Sequence, residues 1–193
     1  MNEEQRSIFD KIIEDYENLM SEGIDYWARF SNLDTWQFWV NVVFLILPLI
    51  VIWFSIDKKR ALLLGFYGFN VHVWFTYIDS LGVNFGTWGY PFKAIPLFPV
   101  SFALDVSLIP VVYMLVYQWT LNHRKNYYLY LTITSAFLAF IFKPILVWSG
   151  LFILLKGFNY FHLFLGYLVI MLVSKWITNI FVHFQRNERK TSI

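Results

Sequence analysis

Two charged side chains lie in stretches otherwise fit for a membrane interior: Asp105 in VSFALDVSLIP and Lys143 in AFIFKPILVW. Asp105 falls near the start of one apolar segment and Lys143 near the end of the next, so at about 1.5 Å of helical rise per residue both sit roughly 8 Å below the same boundary. A charge at the centre of a spanning helix costs about 2.5–3.5 kcal/mol on insertion scales. A direct Asp105–Lys143 pair is the simplest resolution. Lysine can also run its long stem out to the headgroups. Aspartate is too short for that and must face protein or a wet cavity. The pair therefore reads either as a structural ion pair or as a functional polar site in which a proton could be held.

Further polar residues belong to the same shallow level. Ser101 precedes Asp105 by one helical turn, Asp79 closes the preceding apolar segment, and Asn41 and His162 sit near the outer ends of two others. His72 shares a stripe with Gly65, Gly68, Thr76 and Asp79, spaced three and four apart as one helix face requires. The candidate cluster is thus Asn41, His72, Asp79, Ser101, Asp105, Lys143 and His162. Pro48, Pro110 and Pro144 fall inside the apolar segments and leave the carbonyls of Phe44, Val106 and Phe140 without their usual donors, which kinks a membrane helix or frees backbone for a ligand. Lys143 capping one of these carbonyls is an alternative to its pairing with Asp105.

Between Ser80 and Pro99 the chain is broken by Gly82, Gly86, Gly89, Pro91, Pro96 and Pro99 and loaded with aromatics. Trp88, Tyr90, Phe92 and Phe98 form a candidate aromatic cap that folds back over the helix ends or rests among the headgroups. No HExxH, GxSxG or GxxxxGK motif is present, and with no cysteine and four scattered histidines neither a metal site nor a cofactor is expected.

Elements that position these residues follow from hydropathy. Of 193 residues 58% are hydrophobic and 15% charged, too few charges for a soluble domain. Five segments reach the roughly 20 residues needed to cross about 30 Å of hydrocarbon: Trp36–Ile56, Ala61–Asp79, Val100–Trp119, Tyr127–Trp148 and Phe161–Phe184. The expected fold is an all-α polytopic membrane bundle of five helices (36–185), preceded by an amphipathic N-terminal segment (1–35) and followed by a short basic tail (186–193). In the first segment Ile8, Phe9, Ile12, Ile13, Tyr16, Leu19 and Met20 recur at helical spacing among acidic residues. Lys175, Asn179 and His183 share a face near the end of the fifth helix and read as inner-leaflet anchors.

Basic residues favour cytoplasmic loops. Lys58, Lys59 and Arg60, Arg124 and Lys125, and Arg186, Arg189 and Lys190 all fall on one side, whereas the N-terminal segment sets nine acids against Arg6, Lys11 and Arg29. This predicts the N-terminus outside and the C-terminus inside. A net charge of +2 is too small for a nucleic-acid platform. Membrane lipids are the expected surroundings, with a protein partner met through the N-terminal helix or the 80–99 loop.

The DKKRALLLGFYGFN junction, the TWGYP loop and the FPVSFALDVSLIPVVYMLVYQWTLN helix resemble a family of small integral membrane proteins of spore-forming Gram-positive bacteria. The resemblance implies a multi-helix architecture in a bacterial plasma membrane and carries no catalytic residue. Trp88, Tyr90, Pro99 and Asp105 are more faintly similar to the Trp-x-Tyr loop and following helix of membrane-embedded lycopene cyclase domains, whose adjacent acidic pair has no counterpart here. The leading expectation is a non-enzymatic protein that binds a lipid, small solute or partner through an outward-facing cap. Ion- or proton-coupled transport through Asp105 and Lys143, and a membrane enzyme acting on an apolar substrate, are the alternatives.

Overall fold

The computed structural model describes the backbone of residues 1–191 and the side chains of residues 1–187. Six helices follow in order: α1 (Glu3–Phe30), α2 (Trp36–Ser55), α3 (Ala61–Asn84), α4 (Leu104–Asn122), α5 (Tyr127–Trp148) and α6 (Tyr160–Thr191). The last five are long and apolar enough to cross a membrane. The expected basic tail begins as the last turns of α6, while Ser192, Ile193 and the side chains of Arg189 and Lys190 lie outside the described residues.

α3 is the hub, packed against α4 and α6, with α5 closing the far side against α4 and α6, and α2 resting on the first turns of α4. Leu64, Tyr67, Val71 and Phe75 of α3 meet Leu104, Ile109 and Tyr113 of α4 and Leu163, Tyr167 and Ile170 of α6 in one buried core. Small residues set the spacing, as they do where helices meet in lipid. A Cβ on Gly68 would collide with the side chain of Met114 across the α3–α4 contact.

The half that holds the α2–α3 and α4–α5 connections is bound together by tyrosines. Tyr67 and Tyr127 share a hydroxyl–hydroxyl hydrogen bond of 2.8 Å, and Tyr127 donates to the Met171 carbonyl at 3.0 Å. Lys175 departs from its expected role as an anchor, because its ammonium turns into the bundle, donates to the Tyr117 hydroxyl at 2.6 Å and lies 4.2 Å from that ring's centroid. A cation over an aromatic face gains what it would otherwise seek at the headgroups.

Two differences reshape the opposite end. α3 continues to Asn84, five residues beyond the expected end at Asp79, so Asp79 lies inside the helix and is buried. The connection therefore starts at Phe85, turning at Gly86 with φ of 63°, a left-handed conformation that costs glycine little. The second difference is a two-residue antiparallel ladder between Trp88–Gly89 (β1) and Ile153–Leu154 (β2). Leu155 extends it by donating its N–H to the Thr87 carbonyl at 2.8 Å. The two outer connections are thus one cap, in which exchanged backbone hydrogen bonds satisfy groups that neither loop could satisfy alone.

Other elements hold that cap at Lys93. The indole of Trp27 on α1 donates to the Lys93 carbonyl at 2.9 Å, and the Lys93 N–H donates to Ser31 Oγ at 2.9 Å. The Lys93 ammonium donates to the carbonyls of Phe98 and Pro99 at 2.9 and 2.8 Å, in a stretch where Pro96 and Pro99 remove backbone donors. Burial pushes this ammonium below its ordinary pKa, and the charge of Asp79 partly offsets that. The rest of α1 buries no residue.

Candidate polar site beneath the cap

Asp79 is the meeting point of the cap and the bundle. Its Oδ1 accepts from the Trp88 indole N–H and from the Tyr90 hydroxyl, each at 2.7 Å. The indole reaches it because Gly82 lies one turn along α3, where a Cβ would fall inside the Trp88 ring. Tyr90 is buried, and that burial pushes its phenol well above its ordinary pKa, with the charges of Asp79 and Asp105 acting in the same direction. The hydroxyl therefore keeps its proton and acts as a donor to Asp79.

Lys143 completes the relay. Its ammonium donates to the Tyr90 oxygen at 3.2 Å and lies 3.6 Å from the Phe152 ring centroid and 5.0 Å from that of Tyr90. It is 2% exposed, so it does not reach the headgroups. The expected direct pair with Asp105 is corrected here: no Lys143–Asp105 nitrogen–oxygen contact within 4.0 Å occurs among the described residues, whose ion pairs are Arg6–Asp10 and Arg60–Asp57. The π faces of Phe152 and Tyr90 hold the ammonium instead, and the Tyr90 hydroxyl links it to Asp79.

Asp105 feels the charges of Asp79 and Lys143 and is 1% exposed. Both of its carboxyl oxygens, together with Asp79 Oδ2, lack a hydrogen-bond donor. Its place is set by a π turn over Leu104–Leu108, in which the Ile109 N–H bonds the Leu104 carbonyl. Pro110 has no N–H, so the Asp105 carbonyl receives neither its fourth nor its fifth following donor. His72 Nδ1 supplies the missing bond at 2.9 Å, which requires the tautomer with hydrogen on Nδ1 because a carbonyl only accepts. The freed carbonyl thus belongs to Asp105, where a regular helix would leave that of Val106, and His72 serves the backbone of the site. α5 repeats the device, with a π turn over Leu138–Phe142 placing Lys143 directly before Pro144.

The remaining candidates separate. Ser101 is buried with its backbone beside Asp79, and its carbonyl accepts from the N–H groups of Leu104 and Asp105 at 3.0 Å each. Asn41 stands apart, donating to the Gln37 and Phe92 carbonyls at 3.0 and 3.3 Å. His162 is exposed and accepts from the Asn159 N–H at 3.2 Å. Of the cap aromatics, Trp88 and Tyr90 join the site, Phe92 is half-buried, and Phe98 is exposed and stacks on Phe102. Among the described residues no three His, Cys, Asp or Glu side chains converge as metal ligands.

A cleft of about 190 Å³ between α3 and α6 opens onto this network. Its walls are mostly apolar, from Phe75, Ile78, Phe158, Leu163 and Ile170, while Asp79, Lys143, Trp88 and Tyr167 form its polar end and His162 also lines it. Tyr167 is buried and its hydroxyl has no partner. Neither Tyr167 nor Phe152 stands out in the sequence, because each sits in an apolar run with no polar periodicity.

Comparison of the chain with protein-family models, with curated proteins and with solved structures finds no match. Geometry alone therefore ranks the contacts. Tyr90→Phe removes a donor from Asp79 and the acceptor of Lys143 together. With hydrogen bonds to charged groups worth about 1.5–3 kcal/mol each, it is expected to lower unfolding free energy by about 3 kcal/mol or more, measured by denaturation in mixed micelles.

Proposed function

We propose that this chain is a multi-pass bacterial plasma-membrane protein that holds a lipid-soluble small molecule in the outer α3–α6 cleft, with the molecule's polar end against Asp79 and Lys143. One observation carries this reading: a mostly apolar cleft ends on buried polar groups that the protein leaves unpartnered. Buried polar atoms without partners cost about 1–3 kcal/mol each, and a ligand that satisfies them recovers that cost on binding. The size suits part of a lipid-like molecule, since a cavity of about 150 Å³ lined by apolar side chains accepts benzene.

The N-terminus is read as outside and the C-terminus as inside. This rests on Lys58, Lys59, Arg60, Arg124, Lys125 and Arg186 lying at the end of the bundle opposite the cap. The cap then faces the exterior and the ligand enters from the outer leaflet. α1 is read as an amphipathic docking element for a protein partner. Its apolar residues Ile8, Phe9, Ile12, Ile13 and Tyr16 are all exposed, and its acidic polar side does not suit anionic lipid.

Gly166 lines the cleft, and a Cβ there would meet only Ile78 Cγ2 at 4.0 Å. Gly166→Leu should therefore fill the cleft without displacing α3. Native mass spectrometry after mild detergent extraction should show a bound mass on the wild type that Gly166→Leu has lost. Equal retention by both proteins, or none by the wild type, contradicts the reading. Orientation is checked separately, since the chain has no cysteine. A membrane-impermeant maleimide should label Ser7→Cys in intact cells and Lys125→Cys only after permeabilisation, and the reverse pattern would invert the topology.

A further inference from the structure

Asp79 at the polar end of the cleft, together with Asp105 outside its lining, makes more negative groups than the lysine there can balance. Asp105 feels the charge of Asp79, and both carboxyls interact with Lys143, the cation bonded to Tyr90. The other titratable or charged groups around the pair leave this balance in place, since Lys93, which also feels the charge of Asp79, stands half-buried in the cap. Tyr90 from the cap, Tyr113 from α4 and Tyr167 from α6 are neutral phenols. His72 on α3 is engaged by the Asp105 carbonyl, His162 is exposed at the cleft and held by Asn159, and the Lys93 ammonium is bonded to the Phe98 and Pro99 carbonyls. Two ionised carboxyls against one ammonium would leave an uncompensated charge in a low-dielectric interior, which proteins avoid by neutralising or pairing it.

One positive charge restores neutrality, and it can arrive as a proton or as part of a ligand. Geometry favours donors at this place, because Asp79, which lines the cleft, has its Oδ2 buried without a partner, and both oxygens of Asp105, outside the lining, are unpartnered as well. A proton shared between the two carboxyls supplies one donor. An ammonium supplies three donors and the same charge. An anionic head could accept from Lys143 and Tyr167, but it would add a further negative charge where two carboxyls already face one ammonium, and an alcohol would bring one donor and no charge.

We propose that the cleft takes an amphiphile whose polar end is a protonated amine, and that its entry displaces one proton from the Asp79–Asp105 pair. The inference rests on the cleft being a ligand site and adds to it the class of ligand and a coupling. The exchange balances: one ammonium enters, one proton leaves to solvent, no bond to carbon changes, and the charge of the site is the same before and after. A site that holds either a proton or an organic cation, never both, is the elementary requirement for exchanging one against the other across a membrane.

The test uses the full chain in nanodiscs of neutral phosphatidylcholine, with 2-phenylethylammonium and its neutral counterpart 2-phenylethanol as probes, both close to the size of the cleft. Calorimetric titration from about pH 5.5 to about pH 8.5 keeps the amine charged, since its pKa is near that of lysine at about 10.4. While the pair holds its proton, amine affinity is expected to rise by up to about tenfold per pH unit, as one-proton linkage requires. Alcohol binding should be weaker and independent of pH. Titrations of the wild type in buffers of different ionisation heat should show about one proton released per amine bound. Asp105→Asn, which removes the exchangeable proton, should flatten the amine's pH dependence.

Equal affinities for amine and alcohol, or amine binding without proton release, overturn the inference. If Gly166→Leu has meanwhile lost a bound mass that the wild type retains, the cleft remains a ligand site and only the amine assignment fails. Binding of neither probe, with no mass retained by the wild type, removes both.

Discussion

The capped half of the molecule depends on one hydroxyl. Tyr90 donates to Asp79 and accepts from Lys143, so a single buried phenol joins the cap to α3 and α5. Each partner alone would be a charge in a low-dielectric interior, costly unless paired and hydrogen-bonded. Through Tyr90 each becomes the other's counter-charge without direct contact. The cap is tied to the same point by Trp88, and by the β1–β2 ladder that brings in the second outer connection. The aromatics are thus the donor side of a carboxylate site as well as apolar cover.

Backbone irregularity makes the site possible. A regular helix through DVSLIP would free the Val106 carbonyl, whereas the π turn frees that of Asp105 and His72 takes it. One residue is gained before the proline, which changes the direction in which Asp105 projects from the helix. α5 does the same before Pro144. Such single-turn π segments are rare and are frequently found at functional sites. Here two of them lie next to Asp105 and Lys143, the two residues with most to gain from being re-aimed.

Much of this was legible in the sequence because hydropathy acts on whole segments. The spans of α2 and α5 end within a residue of their expected limits, and the aromatic stretch over 80–99 belongs to the cap. The relations among particular side chains were less visible. Matching depth placed Asp105 beside Lys143, but depth says nothing of rotation about a helix axis, and the two π turns alter that rotation. Asp79 looked terminal because serine and glycine follow it, although Gly82 is in α3 to admit Trp88. Phe152 and Tyr167 carried no polar signal, since their roles are a π face and one hydroxyl.

The account turns on Asp105 being the partner of Asp79 rather than of Lys143, and the unfolding free energy of Asp105→Asn tests this most directly. Asparagine keeps the shape and brings its own N–H donors to the unpartnered oxygen of Asp79. In mixed micelles near neutral pH the variant should match the wild type within about 1 kcal/mol or exceed it. Were Asp105 the ionised counter-charge of a buried Lys143, removing it would cost about 3–5 kcal/mol, and a loss of that size would contradict the account.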